Sequence, residues 1–314
     1  MASVVCAGIV VADHVSSPIA RLPEAGELVL ADQLILTIGG CAANVAVDLV
    51  KLGVPATVAG CVGDDTFGKV VADMLRERAV DVSALRVRPG QTTSQTLIVN
   101  VVGQDRRFIH TFGANADFSP DDVPLAGDCR VLYLGGYFVM DRVTADGLAR
   151  LFAGARQKGI QTVLDVVTPG PGEYLSRLAP VLPHTDVFLP NDHEAQLITG
   201  LADPLAQAER FRAMGARTSI ITLGDRGSVL VGEGLRLRAG TYSMPFVDGT
   251  GGGDAFAAGY IAGLLRGLGP EECLRVGSAV GASCVRAIGT TAGVFTGDEC
   301  EAFLKANPLR VERV

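Results

Sequence analysis

The residues whose types and spacing are best suited to take part in a reaction lie in one stretch, Val247-Asp248-Gly249-Thr250-Gly251-Gly252-Gly253-Asp254-Ala255-Phe256. Its three consecutive glycines let an anion such as phosphate approach the backbone, because they carry no Cβ. Apolar residues then recur at helical spacing, so the glycines open a helix whose first N–H groups are unpaired donors. A carboxylate aimed at the anion would repel it. Asp254 is therefore predicted to be a base that takes a proton from a hydroxyl attacking phosphorus, with helix capping as the alternative.

Two glycines and an asparagine form a second group, Gly39, Gly40 and Asn44, at the start of another apolar helix. The glycines permit close approach of a ligand, and the asparagine offers both a donor and an acceptor to hydroxyl groups. A tight turn with an asparagine cap explains the same residues. Sequence physics leaves both interpretations open.

Two further groups follow apolar strands. Asn191 and Glu194 are three residues apart and share one face of a helix start, where they could order magnesium waters and phosphate oxygens or form a capping box. Thr222-Leu223-Gly224-Asp225-Arg226-Gly227 is either a nucleotide loop or an ordinary turn. The spacing in 63–70 resembles a P-loop, but Val70 stands where a magnesium-binding Ser or Thr is needed. We interpret 63–70 as a turn and a helix start.

Composition limits the class of protein. The chain has 314 residues, 48% hydrophobic and 19% charged, which is enough for a large core. A formal net charge of -7 argues against nucleic acid or an anionic membrane as a partner. Its 7 cysteines include no Cys-x-x-Cys pair, so they are predicted to be reduced and buried, which indicates the cytoplasm. The apolar run near the N-terminus is too short to span a bilayer.

The elements that must position these residues alternate between strands and helices. An apolar strand is predicted over 4–11, ending at Asp13, where ligands of open α/β sheets bind. From residue 131 onward strands and helices alternate, which implies parallel crossovers. Strands outside the main sheet are expected within 27–38 and as a hairpin of 96–102 with 107–112. A helix is expected over 173–181, and helices 254–266 and 271–286 are expected to close the fold.

The stretch at 248–254 resembles the C-terminal signature of the ribokinase-like (PfkB) carbohydrate kinases, usually Asp-Thr-x-Gly-Ala-Gly-Asp. Gly249 takes the place of the usual Thr, and Gly252 that of the usual Ala. The resemblance implies that Asp254 is the catalytic base and that the backbone of Gly251, Gly252 and Gly253 forms an anion hole. Val-Gly-Asp-Asp-x-Phe-Gly at 62–68 is also typical of this family.

The same resemblance assigns roles to the other groups, in the family's order along nearly the whole chain. It implies that the sugar is held by Asp13, Gly39, Gly40 and Asn44, with His110 facing it from a lid. It links Asn191 and Glu194 to Mg²⁺ and phosphate, and it places ATP at Thr222, Gly224, Gly227 and Ser278. In some relatives, Asp248 and Thr250 with the carbonyls near Cys284, Ala287 and Gly289 correspond to a monovalent cation site, as for K⁺.

At two places the sequence departs from the family's usual pattern for binding the sugar. Proteins close to ribokinase usually have Gly-Gly-Lys-Gly-Ala-Asn, whereas Cys41 and Ala42 stand here. They often carry a sugar-binding Glu where Gly135 and Gly136 stand here. The resemblance therefore implies phosphoryl transfer to a sugar but does not imply which sugar it is.

The prediction is a cytoplasmic, ATP- and Mg²⁺-dependent kinase of a small sugar. Its fold is expected to be one ribokinase-like α/β domain over 1–314, a three-layer core with a mainly parallel sheet. A small β-sheet lid is expected from segments of about 14–36 and 95–113, and we expect a homodimer to form through it, with no nucleic acid or membrane partner. The alternatives are a nucleoside kinase of the same family and a non-catalytic sugar or nucleotide sensor.

Overall fold

The strands are distributed over two sheets in the computed structural model, which describes residues 3–104, 106–125 and 128–314. In chain order they are β1 (Val4–Gly8), β2 (Val11–Ser16), β3 (Leu34–Gly39), β4 (Ala56–Gly63), β5 (Asp81–Arg88), β6 (Gln95–Val99), β7 (Arg107–Thr111), β8 (Val131–Gly135), β9 (Gln161–Leu164), β10 (Val187–Phe188), β11 (Thr218–Thr222), β12 (Ser228–Gly232), β13 (Leu235–Ala239) and β14 (Val311–Arg313).

Several helices begin at a residue whose side chain accepts a hydrogen bond from the first turn. Asp65, for example, accepts a hydrogen bond of 2.8 Å from the Gly68 backbone N–H, so the P-loop-like stretch is a turn and a helix start, as predicted. The helices are α1 (Cys41–Lys51), α2 (Thr66–Glu77), α3 (Ala145–Gln157), α4 (Leu175–Leu178), α5 (Asp192–Thr199), α6 (Pro204–Ala213), α7 (Gly252–Leu265), α8 (Pro270–Cys284) and α9 (Gly297–Ala306).

The large sheet has the strand order β14-β13-β12-β11-β10-β9-β8-β1-β4-β5. Within this sheet the seven neighbouring strands β11, β10, β9, β8, β1, β4 and β5 are parallel to one another. The strands β12, β13 and β14 add antiparallel pairings at one end. Every residue of β1, β4 and β8 is buried, which requires cover on both faces of the sheet. The mainly parallel α/β core is therefore confirmed.

The small sheet has the order β3-β2-β6-β7 and forms the lid. β2 pairs antiparallel with β3 and parallel with β6, and β6 pairs antiparallel with β7. β6 and β7 thus form the predicted hairpin, although Asp105 in the connection between them lies outside the described residues.

Four predictions about elements were wrong. The run 4–11 is not one strand, because the chain leaves the large sheet at Gly8 and enters the lid sheet at Val11, so Asp13 lies within β2. In the segment 27–38 only the part from Leu34 is a strand. The helix expected over 173–181 is reduced to α4. The fold does not close at α8, since α9 and β14 follow, and β5 was not predicted.

Two global expectations can be compared with this architecture. All seven cysteines are free thiols and buried, as predicted. Within the described ranges of the chain, none of the helices combines the length and the apolar character needed to cross a bilayer.

Candidate active site

The start of α7 presents an open stretch of backbone. Gly251 is the N-cap with φ 83°, and a Cβ there would overlap the Thr290 carbonyl oxygen, so only glycine fits this turn. A Cβ on Gly253 would meet nothing within 4 Å, and one on Gly252 would reach only the Gly281 carbonyl oxygen at 3.9 Å. The first amides of α7 therefore border empty space that an anion can fill.

Asp254 follows these amides and is held from the opposite end of the chain. The Asn44 side-chain Nδ2 donates a hydrogen bond of 2.8 Å to Oδ2 of Asp254. Asn44 Oδ1 in turn lies 2.8 Å from the Thr290 hydroxyl, which fixes the orientation of the amide. Burial raises the pKa of Asp254, while hydrogen bonds from Asn44 and Cys41 lower it. The structure thus joins two predicted motifs around one carboxyl group.

Asp13, in the lid sheet, is a further buried polar residue near Asp254 and Asn44. Its carboxyl group packs against Gly39 on the neighbouring strand, where any Cβ would overlap it. Burial raises the pKa of Asp13 to about 7, although a hydrogen bond with Thr96 lowers it and the charge of Asp254 raises it further. The influence of Asp254 on this pKa places the two buried carboxyl groups near each other.

His110 reaches Asp13 indirectly. Thr37, Asp13, Thr96 and His110 are register partners across β3, β2, β6 and β7, and they therefore share one face of the lid sheet. His110 Nδ1 lies 2.9 Å from the Thr96 hydroxyl, and burial lowers the pKa of His110. The predicted lid residue is thus tied to the predicted sugar residue by Thr96, which the sequence did not single out.

Asp165 is a second acidic residue beside Asp254, and the sequence analysis did not identify it. Ligand atoms of Cys41, Asp165 and Asp254 lie within 4.8 Å of one another, and the Tyr133 hydroxyl donates a hydrogen bond of 3.1 Å to Asp165. Burial raises the pKa of Asp165 well above its ordinary value, and the charges of Glu194 and Asp254 raise it further. Asp165 directly follows the apolar strand β9, so an acid at a strand end was the available signal.

Asn191 and Glu194 form the capping box of α5, and the capping interpretation is therefore confirmed for their geometry. The Asn191 backbone N–H donates to Oε2 of Glu194 over 3.0 Å, and the Glu194 N–H donates to Oδ1 of Asn191 over 2.9 Å. Burial raises the pKa of Glu194 to about 7. Each of these oxygens can accept more than one hydrogen bond and the Asn191 NH₂ group is not used by the cap, so capping does not exclude a ligand role.

A cavity of about 1000 Å³ adjoins the start of α7. Asn191 and Thr222 are paired in an isolated bridge at its wall, and Phe256 and Val285 supply apolar surface. This size and mixed lining fit a nucleoside triphosphate. The predicted residues that line it are Asn191, Thr222, Gly224, Gly227, Gly252, Gly253 and Ser278.

Asp248 and Thr250 lie at the side of the same loop. Oδ1 of Asp248 accepts hydrogen bonds from the Thr250 N–H (3.0 Å) and hydroxyl (2.7 Å), and Oδ2 accepts one from the Gly289 N–H (3.0 Å). Nη1 of Arg106 lies 3.0 Å from the Thr250 hydroxyl and 3.7 Å from Oδ1 of Asp248. Nothing in the sequence connected Arg106 with this loop.

The carboxyl groups near Asp254 also fit a divalent cation. Asp165, Glu194 and Asp254 have raised pKa values because they are buried, and the charge of Asp254 raises the pKa of the other two further. A hard cation such as Mg²⁺ takes oxygen ligands and would relieve this repulsion. The residues therefore suit both a nucleotide and its magnesium ion.

Comparison with known proteins identifies the family of this chain. A model of the pfkB family of carbohydrate kinases matches residues 1–296, and the chain belongs to this family. A ribokinase of Haemophilus influenzae is 25% identical over 303 residues, covering 95% of this chain and 97% of its own. A cytidine kinase of Thermococcus kodakarensis is 29% identical over 245 residues, covering 76% of this chain and 84% of its own.

The fold is ribokinase-like. The structure of Arabidopsis thaliana ribokinase complexed with ribose and ATP superposes with a TM-score of 0.81 at 23% identity, over 97% of this chain and 99% of that chain. The family and fold predicted from the sequence motifs are therefore confirmed.

Proposed function

We propose that this protein transfers the γ-phosphoryl group of ATP to a hydroxyl group of a small sugar, with Asp254 as the general base. The observation that carries the proposal is the position of Asp254 beside the open amides of α7 and in contact with Asn44. A base for the acceptor and an anion site for the donor phosphate thus lie next to each other. Membership of a carbohydrate kinase family supports the same chemistry.

Asp254 acts in its ionised form and accepts the proton of the sugar hydroxyl as the new O–P bond forms and the bond from the γ-phosphorus to the bridging oxygen breaks. The products are the sugar phosphate and ADP. The Gly252 and Gly253 amides donate hydrogen bonds to the phosphoryl oxygens as their charge redistributes. Gly251 sets the turn that aims those amides. Asn44 keeps the base oriented through its 2.8 Å hydrogen bond.

The nucleotide occupies the cavity lined by Thr222, Gly224, Gly227 and Ser278. Asn191, Glu194 and Asp165 would hold Mg²⁺, which when bound neutralises charge on the phosphate oxygens. The raised pKa values of Glu194 and Asp165 support this assignment, because their buried carboxyl groups lack compensating charge. The structure of a relative complexed with ATP supports the choice of nucleotide.

The acceptor binds between Asp13, Gly39, Gly40 and Asn44, with His110 on the same face of the lid as Asp13. The relative whose structure is complexed with ribose and ATP supports a pentose or a similar sugar as the acceptor. A nucleoside is the second candidate acceptor, because a cytidine kinase is among the relatives. Cys41, Gly135 and Gly136 differ from the residues that are usual in proteins close to ribokinase, so both sugars and nucleosides are candidate acceptors.

The chain is proposed to work as one α/β domain whose lid, β3-β2-β6-β7, covers the acceptor. Leu34, Leu97 and Ile109 share the opposite face of that sheet and are 77%, 40% and 68% exposed. Such a face favours pairing with a second copy, so a lid-to-lid homodimer is proposed. Free buried thiols are compatible with the cytoplasm, the proposed location.

A coupled ADP-release assay with Mg-ATP and a panel of sugars and nucleosides tests the function. We expect one acceptor class to give turnover far above the rate of ATP hydrolysis without acceptor. The inactive reference is the Asp254→Asn protein measured with the same panel. Absence of acceptor-dependent ADP release, with sugar or nucleotide binding intact, would instead support the sensor alternative.

A further inference from the structure

Arg106 places a fixed positive charge beside the loop that leads into α7. Its Nη1 is 3.0 Å from the Thr250 hydroxyl and 3.7 Å from Oδ1 of Asp248. The Asp248 side chain is 2% exposed and that of Arg106 is 26% exposed. A buried carboxylate requires a compensating charge, and at this shielded site a guanidinium supplies one with little competition from water.

The Asp248 carboxylate, which would supply the negative charge for a monovalent cation here, already has protein partners. Both carboxylate oxygens of Asp248 accept hydrogen bonds, from Thr250 and from the Gly289 N–H. The Cys284 thiol lies 3.2 Å from the Thr250 carbonyl oxygen and 3.1 Å from the Thr290 carbonyl oxygen, and its single proton can be donated to only one of them. These hydrogen bonds still leave a lone pair on the oxygens, but a K⁺ ion beside Oδ1 of Asp248 would have the Arg106 guanidinium as its neighbour, and the two like charges would repel. The described residues therefore do not fit the cation site that the resemblance implies for some relatives.

Gly249 supplies an independent observation. The usual family residue at this position is Thr, whereas a Cβ on Gly249 would lie 3.2 Å from Nη1 of Arg106. That is closer than ordinary van der Waals contact, and the further atoms of a Thr side chain would crowd the guanidinium more. The glycine at 249 thus makes room for the arginine. The departure from the signature and the placement of Arg106 are explained together.

We propose that the Arg106 guanidinium takes the role of a monovalent cation at Asp248, so that this enzyme neither binds nor requires K⁺ there. This inference rests on the proposed kinase function. Arg106 directly precedes β7 of the lid, so the charge is tethered to the element that covers the acceptor. It acts as a positioning residue, because it holds the 248–250 turn that continues into the phosphate-facing amides of Gly252 and Gly253.

Thermal unfolding without substrates tests the inference independently of turnover. Melting temperatures are compared in KCl and in tetramethylammonium chloride of equal ionic strength, for the unaltered protein and for Arg106→Gln. We expect the unaltered protein to melt equally in both salts and Arg106→Gln to be stabilised by KCl. The matched control is Arg107→Gln, because Arg107 is the adjacent arginine and bonds Gln104 at the surface.

Kinetic measurements supply the second arm. Replacing tetramethylammonium with K⁺ should leave the turnover of the unaltered protein and of Arg106→Lys unchanged, and raise that of Arg106→Gln about fivefold or more. Gly249→Thr keeps the arginine but crowds its guanidinium, so it should also gain a K⁺ response, even where Arg106→Gln fails to fold.

Two results would overturn the inference: stabilisation or activation of the unaltered protein by K⁺, or two folded variants, Arg106→Gln and Gly249→Thr, that both remain indifferent to K⁺. Failure of the kinase function is a separate result, since it would show as no ADP release with any acceptor while the melting temperatures still report on the cation.

Discussion

The side-chain amide of Asn44 donates a 2.8 Å hydrogen bond to the carboxyl group of Asp254, across 210 residues of sequence. Asn44 belongs to α1 and Asp254 to α7, so the packing of these two helices sets the distance. The sequence offered Asn44 as a sugar ligand or as a helix cap, and the N-cap of α1 is Gly40 instead. The contact of Asn44 with Asp254 gives it a second role, which is to orient the proposed base.

Asp254→Asn should fold normally, bind both substrates and lose most of its turnover. Asn keeps the shape of the side chain but cannot accept the hydroxyl proton, and general-base catalysis contributes about 10²–10⁴-fold in rate. The measurement is kcat from ADP release, with nucleotide affinity by calorimetry as the control for folding. A kcat close to that of the unaltered protein would remove Asp254 from the mechanism.

Gly253→Ala and Gly251→Ala should behave differently although they are two residues apart. Gly253 has open space around its Cβ position, so Ala should leave the melting temperature unchanged or slightly higher and yet block the anion site. Gly251 has φ 83° and faces the Thr290 carbonyl oxygen, so Ala should destabilise the protein by about 1 kcal/mol or more. Thermal unfolding and ATP titration of both variants separate the effects. A Gly253→Ala protein with full ATP affinity and turnover would contradict the anion-hole assignment.

Sugar affinity should increase as pH rises through neutrality. Burial raises the pKa of Asp13 to about 7, and its ionised form is the stronger acceptor for sugar hydroxyls. Between pH 6 and pH 8 the ionised fraction rises about tenfold, so the sugar Kd should fall by up to about tenfold. Calorimetry without nucleotide measures this without interference from Glu194. The Asp13→Asn protein should bind more weakly and show a flat pH dependence; an unaltered pH dependence would assign the titration to another group.

Asp48 should limit stability at high pH. It is fully buried in α1, and its carboxylate oxygens have no hydrogen-bond partner among the described residues. Burial raises the pKa of Asp48 well above its ordinary value. The folded state therefore favours the protonated form, and the free energy of unfolding should fall as pH rises from the unfolded pKa towards the folded one.

The test is Asp48→Asn, which removes the titration and keeps the size of the side chain. Urea unfolding at pH 5 and pH 8 should show the variant gaining up to about 1.4 kcal/mol per pH unit relative to the unaltered protein as pH rises. If the difference in the free energy of unfolding between the two proteins is constant across this range, folding does not change the protonation of Asp48.

The lid dimer predicts a mass change on altering its exposed face. Ile109→Asp places a charge at the centre of the proposed interface and should yield monomers, whereas the unaltered protein should have the mass of a dimer by light scattering at micromolar concentration. Val87→Asp is the matched control, because Val87 is 58% exposed on β5, outside the lid. A monomeric unaltered protein with normal activity would rule out the dimer.

The sequence by itself identified the family and predicted the chemistry that we propose. The order and types of the residues at 39–44, 191–194, 222–227 and 248–254 identified the family, and glycine spacing before an apolar helix predicted an anion site at α7. These features are local, because caps, turns and helix starts depend on residues a few positions apart. The structure then placed most of the predicted residues around one cavity and one carboxyl group.

Only the tertiary structure decided which distant residues meet. An unbroken apolar run reports burial but not the partner strand, so nothing indicated that the chain changes sheets between Gly8 and Val11 and carries Asp13 into the lid. Asp165 joins Asp254 only through the strand order, and Arg106 reaches Thr250 across 144 residues. Such contacts depend on the packing of the whole chain, which periodicity and spacing do not encode position by position.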